Sequence, residues 1–466
     1  MPTTAIRTFT DLRKRLAGEL VLPGDPDWDL ARSAWNLTAD QRPAAVAIAA
    51  TPDDVAAVVN AARAAGLRVA VQSTGHGAAP LTELGNTVLL KTSRLRTLQI
   101  DAGARQAIAG AGCLWIEVTR PASAAGLAPL AGSSPDVGVA GYTLGGGLSW
   151  LARRHGLAAS SVTELQVVTA DGRLRRVDAT HDPDLFWALR GGGGSFGAVT
   201  ELRFTLYPVP ALSAGWLVWP MSEAARVLTG WREWLAGVPD TVTSIARLVR
   251  FPDLPELPDT LRGRQLVLVE AAILGDQATS DRLLRGIRAL RPELDTFAAT
   301  APVALSRLHM DPEQPVPVAG DHALLGDLPP AAVDALLAAA GPGVDTPVGA
   351  VELRHLGGAL ARRPPGAGVL ATLEGEFLLH AAGVVPTPAA EPAVLAAATG
   401  IVQALQPWHT SRGYLNFAES RSADPSRLFG PDAARRLAAI KAEVDPTDLF
   451  HANHPVGRQD DPIAPA

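Results

Sequence analysis

The chain has 466 residues, 47% hydrophobic and 19% charged, and its 41 Lys and Arg against 47 Asp and Glu leave a formal net charge of -6. That composition belongs to a globular protein with a sizeable buried core in roughly three domains, or two large ones. Cys113 is the only cysteine, which excludes an internal disulfide and a Cys-rich zinc or iron–sulfur centre.

Basic residues are scattered over a slightly acidic chain, so there is no electrostatic footprint for nucleic acid. The longest apolar stretches carry Gly, Pro or Arg, which argues against a membrane span. MPTTAIRTFTDLRKRL at the start lacks the uninterrupted apolar segment of a secretory signal. A small-molecule partner and a cytoplasmic location are the expectation; the oligomeric state is not legible.

In chain order, the first informative unit runs from Arg42 to Val71. RPAAVAIAA reads as an apolar strand, after which Thr51 caps a helix with Pro52 at its first position and Asp54 reciprocating. Val55, Val58, Val59 and Ala62 form its apolar stripe, Gly66 ends it, and LRVAV follows as a strand. QSTGHGAAP at 72–80 then holds His76 between Gly75 and Gly77 on a turn. Read alone, this is a tight turn with a solvent-facing histidine, and it needs support from elsewhere.

Cys113, in AGAGCLW, reads as a small buried hydrophobe and not as a catalyst. GSSPDVGVAGYTLGGG at 132–147 is a second glycine concentration. Gly138, Gly141, Gly145, Gly146 and Gly147 can turn successive backbone N–H groups toward a pyrophosphate, and Ser133 and Ser134 add hydroxyl donors. VTELQVVTADGRLRRVDA predicts a hairpin turning at Asp171-Gly172. RGGGGSFG at 190–197 formally contains G-x-G-x-x-G, but it follows a helix capped by Asp182 and leads into a strand, the reverse of a Rossmann context. No Walker sequence and no H-E-x-x-H occurs, so simple nucleotide hydrolysis loses ground. The pair His451 and His454 lacks neighbours that would complete a metal site, and no metal is expected.

Between 208 and 405, GWLVWP, RQLVLVEAAIL, VGAVELRHLGG and GVLATLEGEFLLHAAGV read as strands, and SEAARVLTGWREWLAG, ATSDRLLRGIRAL and AAVDALLAAAG as helices. Glu352, Arg354 and His355 can face a ligand from this second domain, although polar faces on sheets are ordinary. Trp216, Trp219, Trp408 and Phe417 can stack on a ring, with core packing the commoner use. In YLNFAE at 414–419, strand alternation places Tyr414 and Asn416 on one face.

The 21–55 stretch, the His76 turn, the 132–147 and 181–197 segments, YLNFAE, and RRLAAIKAEVDPTDLFHANHPV at 435–456 together resemble the FAD-linked oxidases that include berberine bridge enzyme and bacterial oligosaccharide oxidases. The resemblance is strong over about half of the chain and loose between Tyr207 and the YLNFAE segment. It implies an α+β fold: a PCMH-type, non-Rossmann FAD-binding domain made from 1–207 and completed by 406–466, with a substrate domain on an antiparallel sheet at 208–405. It implies that His76 carries FAD covalently through the flavin 8α carbon. It also implies that Ser73, Thr74, Gly75, Gly77, Ser133, Ser134, Gly138, Gly141, Tyr142, Gly145, Gly146, Gly194, Gly197, Val199 and Asn453 line the cofactor. Many relatives attach FAD a second time through a cysteine in G-x-C-P; here Ser134 stands in that place, and a hydroxyl is a poor substitute for a thiolate, so one linkage is expected.

The implied activity is hydride transfer from an alcohol, sugar or secondary metabolite to flavin N5, with oxygen as the partner that takes the electrons and becomes hydrogen peroxide. Tyr414 is the implied general base, with Asn416 beside it. A free phenol has a pKa of about 10, so this role requires lowering by charge or hydrogen bonds. A dehydrogenase with another acceptor, an NAD-dependent enzyme and a flavin or ligand binder without turnover are the alternatives.

Overall fold

The computed structural model describes residues 3–419 and 425–457. Thr51 accepts from the Asp54 N–H, and the buried Asp54 carboxylate takes backbone N–H groups from Ala17, Gly18, Ala50 and Thr51. That double cap starts the helix Pro52–Ala64, which buries Val55, Val58, Val59 and Ala62. The strands Ala45–Ile48 and Arg68–Gln72 flank this helix in sequence but do not touch. Both pair in parallel with Thr87–Lys91 between them, and Glu19–Val21 adds an antiparallel edge.

A second, five-stranded antiparallel sheet runs in the order Leu98–Asp101, Gln106–Gly110, Ala198–Thr205, Val162–Val168, Leu174–Asp178. Its hairpin turns at Gly172, with φ of 76°. The helix Pro183–Leu189 precedes the glycine run, which leads into Ala198–Thr205, so the helix-then-strand context read from the sequence is present. The two sheets share one core that also takes in Leu437, Ile440, Leu449 and Phe450.

The chain's last part is stitched to its first. Val69 and Phe450 form a parallel bridge, with the Val69 N–H on Leu449 O and the His451 N–H on Val69 O. Lys441, 1% exposed, places its ammonium on Ser195 O (2.9 Å) and Asp445 (2.5 Å). A buried lysine stays charged only with such partners.

The third sheet is eight-stranded and antiparallel, built from Leu212–Pro220, Val242–Arg250, Gln265–Leu274, Val318–Leu325, Ala350–His355 and Phe377–Val384, with two short edge strands. Four helices, Ala224–Leu235, Gln277–Arg288, Pro330–Ala340 and Glu391–Ala404, contribute to the core on one of its faces. Two of these strands, Val242–Arg250 and Val318–Leu325, and the helix Glu391–Ala404 escape the sequence reading. GVLATLEGEFLLHAAGV is a strand only from Phe377. The sheet also reaches past residue 405, because Leu325 bridges to His409. Among the described residues no helix is long and apolar enough to cross a membrane.

Candidate active site

The strand Arg68–Gln72 ends in the His76 turn. Gly75 has φ of 93°, and a Cβ there would strike Ala34 and the Gln72 amide, so only glycine fits. The turn lays the His76 ring on Trp35, with centroids 4.0 Å apart and planes at 17°. Nδ1 is 2.8 Å from Thr74 Oγ1. Nε2 is closed off from solvent, has no hydrogen bond and lies 3.6 Å from Asp136 Oδ1. Asp136 is held by Ser134 Oγ at 2.7 Å and Trp35 Nε1 at 2.5 Å. Burial works against its charge, but the His76 imidazole alongside and the hydrogen bonds from Ser134 and Trp35 prevail and keep its carboxyl below the usual range. Asp136 was missed in the sequence, where its only signal is an acid among small residues in SSPDVG. Asn453 reaches the same turn, donating from Nδ2 to Gly77 O at 3.0 Å.

Gly138 opens the helix Val139–Leu144 against the His76 turn, its Cα so close that a Cβ would come 2.7 Å from Ser73 Oγ. The expected nest of free amides needs correction. The Gly145 and Gly146 N–H groups bond to Gly141 O and Thr143 O and close the helix, because a helix end satisfies its own polar groups first. Gly141 faces open space, and Gly146 and Gly147, with φ of 113° and 78°, carry the chain past the Tyr142 and Tyr414 rings. Tyr142 donates to Leu130 O.

Ser133 and Ser134 diverge: Ser134 turns to Asp136, Ser133 to Asp311 Oδ2 at 2.7 Å. Gly194 lies near Ala452, Gly197 packs on Val167 and Val168, and Val199 is a buried strand residue paired with Val167. Cys113 is buried, its thiol pushed up to about 11 by burial.

Tyr414 and Asn416 do not alternate on a strand. Tyr414 is extended, but Leu415–Phe417 is a single 3₁₀ turn, so strand alternation does not pair the two, although the Asn416 amide still lies beside the Tyr414 phenol. Asn416 donates to Tyr142 O at 2.9 Å, which fastens the turn to the glycine segment. Tyr414 is fully buried among Leu324, Leu370, Leu378 and other apolar residues and stacks on Phe417 at 5.7 Å. Burial pushes its phenol well above 10, against lowering by Gly147 N–H, Arg354 and Asn416, and its hydroxyl makes no hydrogen bond of ordinary geometry.

Opposite this turn, the large sheet presents a polar face. Arg247, Glu352, His380 and His322 lie side by side across four strands, with Glu270 and Arg354 in the next row. His309, fully buried, bridges Glu270 (2.5 Å from Nδ1) and Glu352 (2.9 Å from Nε2). Arg247 bonds Glu270, and Arg354 bonds Glu352 through Nε and Nη2. Burial and Arg247 disfavour a charged His309, but Glu270 and Glu352 outweigh them and raise it to about 9. Burial likewise opposes ionisation of Glu352, yet Arg354 and His309 hold it well below the carboxylate range. Glu352 and Arg354 therefore belong to the face read from the sequence, whereas His355 turns to Phe377 in the opposite core.

Trp219 is a core residue donating to Leu290 O, and Trp408 and Trp216 pack on cores. Phe417 alone of the four aromatic candidates lies at the turn, with Arg354 over its ring at 5.1 Å. Gly193 to Gly197 also spells G-x-S-x-G, but Ser195 is buried with Oγ accepting from the Val456 N–H, and a strand follows it, so it is no exposed nucleophile. Among the described residues no group of His, Cys, Asp and Glu is arranged to hold a metal.

Residues 43–178 match the family model described as FAD binding domain, and 413–457 the model described as berberine and berberine like. (R)-6-hydroxynicotine oxidase of Paenarthrobacter nicotinovorans is 28% identical over 94% of this chain and 96% of its own. Glucooligosaccharide oxidase of Sarocladium strictum is 31% identical over 44% of this chain and 42% of its own. The solved structure of Physcomitrella patens BBE-like 1 superposes with a TM-score of 0.84 at 19% identity, over 96% of this chain and 98% of that one. The two family segments meet at the His76 turn, so the chain combines an FAD-binding domain with a berberine-like C-terminal segment, and its relatives are FAD-linked oxidoreductases.

Proposed function

We propose that this enzyme carries FAD on a single covalent bond to His76 and oxidises a small alcohol, sugar or cyclic amine at the expense of oxygen. The residues fit the cofactor. Gln72 Nε2, Ser73 Oγ, His76 Nε2 and Thr143 Oγ1 are all buried without partners, and an extended polar molecule threaded between the 72–77 and 138–143 segments supplies what they lack. Ser73, Thr74, Gly75, Gly77, Ser134, Gly138, Tyr142 and Asn453 belong to these two segments or touch them. The division into 1–207, 208–405 and 406–466 goes with this reading.

Bound FAD supplies a two-electron acceptor; the chain does the rest. The observation that carries the reading is the asymmetry of His76. Nδ1 is taken up by Thr74 Oγ1, and with the proton on Nδ1 the lone pair stands on Nε2. Asp136, 3.6 Å away, offsets the positive charge an imidazole gains when its second nitrogen is alkylated. Trp35 holds the ring plane. Ser134 spends its hydroxyl on Asp136 and lacks a thiolate, so a second bond to the cofactor is not expected. Tyr414, kept protonated by burial, enters the reaction as a phenol.

The relatives named above act on a hydroxylated nicotine and on glucooligosaccharides by their names, and substrates of these two kinds form the panel. The test is anaerobic mixing with alcohols, sugars and cyclic amines: the yellow colour should bleach with at least one. Air should restore it with formation of peroxide. Bleaching that reverses only with an artificial acceptor would make the enzyme a dehydrogenase. Acid-denatured, digested protein should carry FAD on the peptide containing His76 and none on Ser134.

A further inference from the structure

The reaction needs a proton acceptor, and on the polar sheet face nearly every charged group is already engaged. Glu352 accepts from His309 and Arg354, and Glu270 from His309 and Arg247. His322 Nε2 accepts the Tyr414 N–H. His380 stands out in the middle of that row, paired across its strands with Glu352 and His322. Its Nε2 is buried without a hydrogen bond, 3.7 Å from Glu419 Oε1, and Glu419 Oε2 is buried and unpartnered as well.

The His380 ring stands edge-on to Phe417 at 5.1 Å, and Phe417 stacks on Tyr414. The two side chains are nevertheless not sealed: His380 is 13% exposed and Glu419 24%. An imidazole with a carboxylate behind it, both with unmet polar atoms, is the arrangement of a general base and its orienting partner. No such pairing serves Tyr414, whose hydroxyl is fully enclosed.

We propose that His380, oriented by Glu419, accepts the proton from the substrate's O–H or N–H; this rests on the flavin-dependent oxidation reading. The carbon–hydrogen bond breaks with its electron pair, which goes as hydride to bound FAD. The O–H or N–H bond breaks toward the imidazole, and a C=O or C=N bond forms. Substrate loses two electrons and FAD would gain them; dioxygen later takes those two electrons and two protons to become peroxide, one proton returning from His380 and the other being the hydrogen that left as hydride. With Nε2–H directed at Glu419, the lone pair for the substrate sits on Nδ1. Burial disfavours the imidazolium, but Glu419 outweighs it and raises His380 above the ordinary histidine value, toward the range in which a base works best near neutrality. The groups facing His380 are Glu419, Glu352, Arg354 and His322, so the carboxylates stabilise the imidazolium that forms.

The experiment is stopped-flow flavin reduction of the holoenzyme from pH 5 to 10, on wild type, H380Q, E419Q and Y414F, with the substrate found in the panel. H380Q should cut the limiting reduction rate by about 10² or more and abolish the rise of rate on the acid side, with flavin content unchanged. E419Q should shift that rise to lower pH, and Y414F should keep it. H380Q reducing at the wild-type rate with the same profile overturns the proposal, as does loss of the acid limb in Y414F alone. Should H380Q not accumulate, an unshifted limb in E419Q counts against it equally. Wild type that no substrate reduces would instead refute the oxidation reading.

Discussion

In the proposed attachment Thr74 and His76 form the smallest unit, because a Thr74 hydroxyl that accepts from Nδ1–H leaves Nε2 free to react. Thr74→Val should leave the turn folded yet lower the fraction of protein carrying covalent FAD several-fold, while His76→Ala should abolish attachment; both are read by mass analysis of denatured protein. Tyr414→Phe removes a buried hydroxyl without a well-formed hydrogen bond, so its unfolding free energy from urea titration should stay within about 1 kcal/mol of wild type or rise. His76, its flanking glycines and Asn453 are legible in the sequence because they lie in short motifs with fixed spacing. Asp136 is not, being one acid among small residues. Of the His309 cluster only Glu352 is legible, since strand register brings Arg247, Glu270 and Glu352 together across a hundred residues of chain and the turn after Pro302–Arg307 adds His309, which no local pattern encodes.

The start of the helix Pro52–Ala64 shows how far local rules reach. Thr51 and Asp54 were readable as a capping box, but the sequence does not say that Asp54 also holds Ala17 and Gly18. Thr51→Ala should cost about 1 kcal/mol, as an ordinary cap does. Asp54→Ala strips four backbone donors and should cost roughly 2–4 kcal/mol, measured by chemical denaturation. The hairpin at Asp171-Gly172 was fixed by its turn residues. Val242–Arg250 was overlooked because Ser244 and Arg247 interrupt its apolar pattern, although both are buried and bonded. The 3₁₀ turn after Tyr414 went unseen for the opposite reason: YLNFAE has the alternation of a strand, and the contact of Asn416 with Tyr142 bends it.

On the scale of the molecule, the charge cluster on the large sheet ties stability to pH. His309 is raised in the folded protein, so its contribution is complete below its unfolded value of about 6.5 and fades as pH climbs through about 9. Glu270 and Glu352 are lowered, so theirs is complete above about 4.3 and is lost as pH falls through their folded values. The cluster should therefore support the fold best between about pH 4.3 and 6.5. In thermal melts across pH, His309→Gln should be less stable throughout that window and lose the alkaline decline. The antiparallel substrate sheet and the non-Rossmann flavin domain were both anticipated, from the resemblance more than from periodicity.

The bridge between Val69 and Phe450 carries a consequence for biosynthesis. A ribosome releases the His76 turn long before it makes Asn453, Lys441 or Phe450, so the nascent amino-terminal half lacks the rung and the ammonium that lock its parallel sheet and glycine loop. Loading of the prosthetic group must then follow translation through Asn453, and products stalled or truncated before it should emerge colourless.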